Sequence, residues 1–324
     1  MPSAIRIYET GGPEKMRWEA IQVGSPAPEE VLVRNTAVGL NFVDTYYRSG
    51  LYPMPLPFTP GSEGAGVVEA VGRKVKEFKP GDRFAYAGPV GAYAEVLLRP
   101  ADRLVKIPPT ITDEIAAAIL LKGMTAEYLL RRTYKVKAGE TILVHAAAGG
   151  VGQIVCQWAK HLGAIVIGTV GHEEKARIAK KVGCKHVIVT STESIPDRVK
   201  QITKGMGVPV VYDGVGKDTF LASLDCLSPL GLMVSFGNAS GAVPPFQPNL
   251  LSQKGSLYLT RPTLQTYTEK REDLLKSARE LFKVVSQGAV KISIQQTYPL
   301  REAAQAHRDL ESRKTTGSTV LRVG

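Results

Sequence analysis

Cysteine is scarce in this sequence, with three residues in 324, at positions 156, 184 and 226. Their odd number and wide spacing argue against a disulfide framework and favour a reducing compartment. Long apolar runs are also absent, because no stretch reaches the roughly 18 residues that crossing a bilayer requires. The opening residues, MPSAIRIYETGG, lack the apolar core of a signal peptide. We therefore expect a cytoplasmic protein that does not enter the membrane.

Acidic residues are outnumbered, with 30 Asp and Glu against 41 Lys and Arg, which gives a formal net charge of +11. A solvated basic surface explains such an excess, and so does attraction of an anionic ligand such as a dinucleotide. The basic residues are spread along the chain without interleaved basic and aromatic motifs. This distribution argues against nucleic acid as a partner.

The first 110 residues are rich in Gly and Pro between short apolar runs, a pattern that predicts a compact β-rich unit. From residue 141 the rhythm changes to apolar β-rich runs alternating with helical segments, which predicts an α/β fold with a doubly wound parallel sheet. The six runs are TILVH (141–145), AIVIGTV (164–170), HVIVT (186–190), VPVVYD (208–213), GLMVSF (231–236) and SLYLT (256–260). The tail breaks this alternation, so we expect residues 262–324 to join residues 1–121 in one domain, with residues 122–261 forming the other.

The first of these runs leads directly into a glycine-rich turn and then a helix. The turn reads Ala146-Ala147-Ala148-Gly149-Gly150-Val151-Gly152, with Ala147 at the first glycine position of a G-x-G-x-x-G pattern. Small residues let the backbone approach a pyrophosphate, and a helix N-terminus favours its negative charge. The strand before and the helix after make this a specific signal for a dinucleotide site.

The end of the second run favours NADPH over NADH. NAD sites usually place a carboxylate there for the ribose 2′-hydroxyl, but this run ends in Val170-Gly171-His172. Glu173 and Glu174 are expected inside the following helix, and Lys175 is placed to meet a 2′-phosphate as a point charge.

Five ordered segments carry a resemblance to the medium-chain dehydrogenase/reductase superfamily: GLNFVDTYYRSGLYP, GSEGAGVVEAVG, GDRF, AAAGGVG and VYDGVG. The sequence most resembles the zinc-free quinone oxidoreductase subgroup. That resemblance implies a GroES-like β-rich catalytic domain, a Rossmann domain and an active cleft between them. Zinc-dependent relatives have a cysteine and a histidine where this chain has Asn41 and Ser62, so no metal is expected.

The resemblance also implies the site residues. Asn41 and Tyr46 are expected near the nicotinamide and Tyr52 near the substrate mouth, so these three are the catalytic candidates. The cofactor-binding candidates are Asn41, Tyr46, Lys122, Thr125, Ala148, Gly149, Gly150, Val151, Gly171, Lys175, Val215, Gly216, Phe236, Gly237, Ser240, Arg261, Thr263 and Arg313. In the third strand region some relatives place a tyrosine over the 2′-phosphate, where this chain has Thr190 instead.

The function indicated is NADPH-dependent reduction of quinones without a metal. Hydride addition to a conjugated carbonyl leaves a delocalised anion, which hydrogen-bond donors can stabilise. The same geometry serves an enone or alkenal (enoyl) reductase, which stays open as an alternative. A nucleotide-binding structural or RNA-binding protein is an alternative of another class. The resemblance implies a homodimer that pairs edge strands of the Rossmann sheets, with SLYLT as the edge.

Overall fold

The computed structural model describes the whole chain, residues 1–324. Its strands are β1 (Ser3–Arg6), β2 (Arg17–Ala20), β3 (Glu30–Leu40), β4 (Glu63–Val71), β5 (Arg83–Ala87), β6 (Val96–Pro100), β7 (Val105–Lys106), β8 (Thr141–Val144), β9 (Ile165–Val170), β10 (His186–Val189), β11 (Val208–Asp213), β12 (Leu227–Ser235), β13 (Tyr258–Thr260), β14 (Ile294–Pro299) and β15 (Ser318–Arg322). Its α-helices are α1 (Phe42–Ser49), α2 (Asp113–Tyr128), α3 (Gly150–His161), α4 (Glu173–Lys181), α5 (Ile195–Ile202), α6 (Phe220–Asp225), α7 (Asn249–Gln253), α8 (Leu264–Tyr267), α9 (Arg271–Ser286) and α10 (Ala303–Glu311). None of the helices is both long enough and apolar enough to span a bilayer.

The chain divides into two compact units. The first contains Met1–Met124, Thr268–Ser286 and Ile292–Gly324, and the second contains Thr125–Tyr267 and Gln287–Lys291. The main boundaries between the units thus come after residues 124 and 267, whereas the boundaries expected from the sequence come after residues 121 and 261. Within the tail, residues 268–286 and 292–324 belong to the first unit and residues 287–291 to the second.

The first unit is built on a seven-stranded sheet. Its order is β14-β15-β3-β4-β5-β7, and β6 pairs with the long strand β3. All pairs are antiparallel except β14 with β15. Strands β3 and β4 pair so that Gly39 lies opposite Glu63. A Cβ on Gly39 would lie 2.4 Å from a Glu63 carboxylate oxygen and 2.1 Å from the Ala117 carbonyl oxygen. Glycine is therefore required where Glu63 approaches the strand.

The second unit is a six-stranded, fully parallel sheet in the order β10-β9-β8-β11-β12-β13. Each strand overlaps one of the six predicted apolar runs, so the doubly wound sheet is confirmed. The order reverses between β8 and β11, the switch point at which open α/β sheets bind ligands beyond their strand carboxyl ends. Leu143, Ile167, Val211 and Met233 are fully buried in its core.

Candidate active site

Asn41 lies where strand β3 gives way to helix α1. Its backbone N–H donates to the Asp44 carboxylate at 2.9 Å, which caps the start of the helix. Its side chain is buried, and its Nδ2 donates to Glu63 Oε1 at 2.9 Å. Asn41 therefore joins the end of the longest strand to a buried carboxylate.

Glu63 forms a buried ion pair with Lys122 of helix α2. Lys122 Nζ donates to Glu63 Oε1 at 2.6 Å, and the two side chains are 6% and 0% exposed. The second carboxylate oxygen accepts the Leu121 N–H at 2.8 Å. Glu63 is thus held by an ammonium, an amide side chain and a backbone N–H. Charges so well shielded from water interact more strongly than surface ion pairs.

Asp44 is a second, fully buried carboxyl group. It accepts hydrogen bonds from Ser62 Oγ at 2.5 Å and from the Tyr93 hydroxyl at 3.2 Å, besides the Asn41 N–H. Burial raises the pKa of Asp44 to about 7, against the lowering effect of the Ser62 and Asn41 hydrogen bonds. The Ser62 hydroxyl suits both protonation states, because it can donate to a carboxylate or accept from a carboxylic acid.

A chain of buried groups continues from Asp44 to helix α10. His307 contacts the Tyr93 hydroxyl through Nε2 at 3.0 Å and Arg48 Nη1 through Nδ1 at 3.1 Å. Burial, followed by the charge of Arg48, lowers the pKa of His307 to about 3, so the ring is neutral. Arginine only donates, so Nδ1 accepts and the ring proton lies on Nε2, where it donates to Tyr93. Arg48 is itself paired with Glu311 at 2.6 Å.

The aromatic candidates form one cluster around Tyr52. The Tyr46 and Tyr52 rings meet edge to face with centroids 5.2 Å apart, and Tyr47 meets Tyr52 at 5.7 Å in the same manner. The Tyr52 N–H donates to the Tyr46 carbonyl at 3.0 Å, which fixes the loop that follows α1. Tyr46 is 8% exposed, while Tyr52 is only partly buried. The structure therefore brings Tyr46 and Tyr52 together beside the helix that begins at Asn41.

In the second unit, the predicted glycine-rich turn joins β8 to α3. Ala146 has a φ of +50°, a left-handed conformation that is uncommon for a residue with a Cβ. The Gly149 N–H donates to the Ala146 carbonyl at 2.9 Å, and α3 begins at Gly150 without a side-chain cap. A Cβ on Gly152 would lie 2.2 Å from the Ala146 oxygen. The turn is thus closed by small residues and presents the backbone N–H groups of a twelve-residue helix.

The end of strand β9 has the features predicted from sequence. The strand ends at Val170, and Gly171 and His172 lead into α4, which contains Glu173, Glu174 and Lys175. His172 is the N-cap residue of α4. No carboxylate therefore ends this strand. Thr190 donates to the Val170 carbonyl through Oγ1 at 3.3 Å, so it braces the end of the same strand.

Asp213 organises the loop after strand β11. Its Oδ1 accepts the Val215 and Gly216 N–H groups at 2.8 and 3.0 Å, and its Oδ2 accepts the Ser223 hydroxyl at 2.8 Å. Ser223 in turn contacts His145 Nε2 at 2.9 Å. Because the Ser223 proton is used on Asp213, His145 donates to Ser223 from Nε2. The network ties the ends of β8 and β11 to helix α6.

The other cofactor candidates of the second unit lie close to that loop or beyond it. The Ser240 hydroxyl donates to the Val215 carbonyl at 2.9 Å, and the Phe236 N–H donates to the Asp213 carbonyl at 2.8 Å. A Cβ on Gly237 would lie 2.4 Å from the Gly214 oxygen, which keeps the two loops in contact.

The remaining candidates are spread along the chain. Arg261 Nη1 donates to the Ser235 carbonyl at 2.8 Å, and Thr263 Oγ1 accepts the Thr266 N–H in α8. Thr125 is buried in α2. Arg313 is exposed after α10 in the first unit, with a φ of +59°.

The residues of the second unit fit a dinucleotide. The N-terminus of α3 has no side-chain cap, and the close approach of the Ala146 oxygen leaves no room for a side chain at position 152. Pyrophosphate binds at such helix starts. Ala148, Gly149, Gly150 and Val151 would hold the pyrophosphate, and the loops after β11 and β12 lie at the same edge of the sheet.

No group of three or more His, Cys, Asp or Glu side chains is placed to hold a metal ion. At the two positions where zinc-dependent relatives have a cysteine and a histidine, Asn41 bonds to Glu63 and Ser62 bonds to Asp44. Both side chains are thus engaged by carboxylates of the buried network.

Sequence reasoning did not select Glu63, Tyr93 or His307, nor did it find the Asp213 network. Glu63 had a local signal, since a single carboxylate among small and apolar residues in GSEGAGVV suggests a buried charge with a partner. His307 had no local signal, because its partners are 214 and 259 residues away in sequence.

A β-rich unit interrupted in sequence by a 3-2-1-4-5-6 parallel sheet, with a glycine turn before its first helix, defines a medium-chain dehydrogenase/reductase. Two family models agree: one described as "Alcohol dehydrogenase GroES-like domain" matches residues 27–109, and one described as "Zinc-binding dehydrogenase" matches residues 150–280. The chain belongs to the quinone oxidoreductase family of this superfamily.

Three proteins illustrate the relationship. A quinone oxidoreductase from Pseudomonas aeruginosa is 55% identical over 99% of both chains. A solved structure of Escherichia coli quinone oxidoreductase complexed with NADPH is 51% identical, with a TM-score of 0.97 over 99% of both chains. A 2-haloacrylate reductase from a Burkholderia species is 47% identical over 99% of both chains.

Proposed function

We propose that this chain is an enzyme that uses NADPH to reduce quinones without a metal. The observation that carries the proposal is that two features occur together: a glycine-rich turn precedes α3, and strand β9 ends without a carboxylate. The relatives named quinone oxidoreductase, and the NADPH complex of one of them, support the same cofactor and acceptor. When bound, NADPH supplies the hydride, and the protein supplies orientation and electrostatic stabilisation.

The site residues have separate roles in this proposal. In the first unit, Asn41, Tyr46 and Tyr52 orient the nicotinamide and the flat acceptor. In the second unit, the first turn of α3 holds the pyrophosphate and Lys175 meets the 2′-phosphate. Arg313 is proposed as a further contact to the adenosine phosphate.

Cofactor titration tests the proposal directly. Charge-assisted contacts to the 2′-phosphate are worth about 1.5–3 kcal/mol, so NADPH should bind roughly 10- to 150-fold more tightly than NADH. Lys175→Ala should reduce this ratio and leave NADH affinity unchanged. Fluorescence titration measures binding, and NADPH consumption with 1,4-benzoquinone measures turnover. Equal affinities for the two cofactors, or no turnover with any quinone, would contradict the assignment.

Reduction of conjugated carbonyl compounds is the second candidate function. The relative named 2-haloacrylate reductase is 47% identical, and its name denotes a conjugated acceptor. Turnover of cyclohex-2-enone in parallel with 1,4-benzoquinone separates the two acceptor classes. A higher kcat/KM for the enone would favour this alternative.

We further propose a homodimer formed through strand β13. This strand pairs only with β12, and Tyr258 on it is 62% exposed. An apolar strand at a sheet edge needs a covering partner. Sedimentation velocity should give twice the chain mass, and Tyr258→Lys should shift the protein toward monomer. A monomeric wild-type protein would contradict this assembly.

The cytoplasm is the proposed location. All three cysteines are buried free thiols, which suits a reducing compartment. Fractionation of cells that express the chain, followed by immunoblotting, checks the location. Recovery in a secreted or periplasmic fraction would contradict it.

A further inference from the structure

Lys122 is a buried cation whose hydrogen-bonding capacity is only partly used. An ammonium carries three N–H donors, and Lys122 gives one of them to Glu63 at 2.6 Å. The residue is 4% exposed, so water solvates it little. Two donors therefore remain for a ligand that reaches this group.

The surrounding contacts fix the position of this ammonium. Glu63 is fully buried and receives the Asn41 amide and the Leu121 N–H in addition to Lys122. Gly39 leaves room for the carboxylate, because a Cβ there would lie 2.4 Å from Glu63 Oε1. A carboxylate held on several sides cannot follow a moving partner, so the Lys122 charge is preorganised.

Stability alone does not account for such a pair. Removing two charges from water costs about as much as their attraction returns, and apolar replacements of buried ion pairs are often neutral or stabilising. A cation kept at this cost beside the catalytic candidate Asn41 is better explained by an anion that forms during the reaction.

The reaction proposed above creates such an anion. As hydride leaves NADPH, which is oxidised to NADP⁺, and adds to the conjugated acceptor, the electron pair of the acceptor's π system moves onto a carbonyl oxygen, and a proton from water then completes the reduced product. Donors directed at developing charge in a water-excluded site are often the largest single contribution to catalysis.

We propose that the Lys122 ammonium donates a hydrogen bond to the acceptor's carbonyl oxygen and stabilises the negative charge that develops there. Glu63 and Asn41 are positioning residues for this cation. The proposal rests on the proposed quinone reduction and goes beyond it, because it assigns the electrophilic group and a basis for acceptor preference. An acceptor with a more basic product oxyanion depends more on this donor than one whose substituents already disperse the charge.

The experiment compares two acceptors of nearly equal size and opposite electronic character, 2,5-dimethyl- and 2,5-dichloro-1,4-benzoquinone. In Lys122→Met, kcat should fall about 10²- to 10³-fold with the dimethyl quinone. The fall with the dichloro quinone should be at least roughly tenfold smaller. Lys122→Arg keeps a cation and should recover part of the loss, and it also serves if the methionine variant folds poorly. NADPH affinity, measured by fluorescence, should stay within about twofold of wild type in both variants, which distinguishes this role from the cofactor contact that the family resemblance implies for Lys122.

Lys74→Met is the matched control, because Lys74 belongs to the same unit and pairs with Glu29 on the surface. It should leave both quinones unaffected. Equal losses with the two quinones in Lys122→Met would overturn the inference, as would an unchanged kcat. A defect confined to NADPH affinity would make Lys122 a cofactor contact and also overturn it. If the wild-type protein reduces neither quinone, the proposed function itself fails, which is a distinct result.

Discussion

The ion pair between Glu63 and Lys122 makes a quantitative prediction about stability. Both side chains are almost fully shielded, at 0% and 6% exposure, so solvent does not screen the loss of either charge. Glu63→Gln removes the carboxylate and leaves the ammonium buried without a counter-charge, which should cost about 3–5 kcal/mol. Lys122→Met should cost less, about 1.5–3 kcal/mol, because Glu63 keeps its donors from Asn41 and Leu121.

The double variant distinguishes a coupled pair from two independent residues. Glu63→Gln combined with Lys122→Met contains no buried charge, so its cost should not exceed that of Glu63→Gln alone. The coupling energy is then at least about 1.5 kcal/mol. Urea denaturation, monitored by circular dichroism, measures the unfolding free energy of the wild type, the two single variants and the double variant. The comparison uses the unfolding transition whose midpoint Glu63→Gln shifts. If the double variant loses the sum of the two single costs, the residues are not coupled and the reasoning fails.

Three further predictions concern packing, titration and metal. Gly152→Ala should lower the unfolding free energy by about 1–3 kcal/mol and weaken NADPH binding, because its Cβ would lie 2.2 Å from the Ala146 oxygen. Gly171→Ala, with no atom within 4 Å of its Cβ, is the stability control, and equal losses would refute the packing argument. Burial raises the pKa of Asp44 to about 7, so between about pH 4 and 7 the folded protein retains a proton that the unfolded chain releases. The stability that this group contributes therefore falls as pH rises through that window, and Asp44→Asn should abolish the fall. Urea denaturation at several pH values measures the unfolding free energies of both proteins. A difference between wild type and Asp44→Asn that does not change with pH would disprove the prediction. Quinone turnover should survive treatment with a chelator, whereas activity lost on chelation and restored by zinc would show that a metal is needed.

The parallel sheet could be predicted because its signals are local. Each buried strand appears as a short apolar run, and the turn at Gly149 and Gly150 combines small residues with a strand before and a helix after. The sequence predicted the doubly wound sheet but no order for its strands, which the structure supplies. The end of β9 could be predicted equally well, since the sequence itself shows that no carboxylate lies there.

The buried network of the first unit could be predicted from the sequence only in small part. Asn41 and Lys122 were selected through a family resemblance, but their shared partner Glu63 lies 22 and 59 residues away from them in sequence. No periodicity reports contacts of that kind, because they depend on how β3, β4 and α2 meet. The protonation states of Asp44 and His307 could not be predicted from the sequence either, because burial shifts both pKa values and is known only from the folded chain.

The position of β15 inside the sheet, next to the edge strand β14, has a consequence for how the protein is made. This strand lies between β14 and β3, and Arg48 reaches its partners His307 and Glu311 on α10. On the ribosome, residues 30–40 emerge nearly 280 residues before the strand that must pair with them. The six parallel strands of residues 141–260 are therefore complete while the seven-stranded sheet still lacks two members. During synthesis the second unit can fold first, and the nascent first unit stays exposed to chaperones until β15 is released.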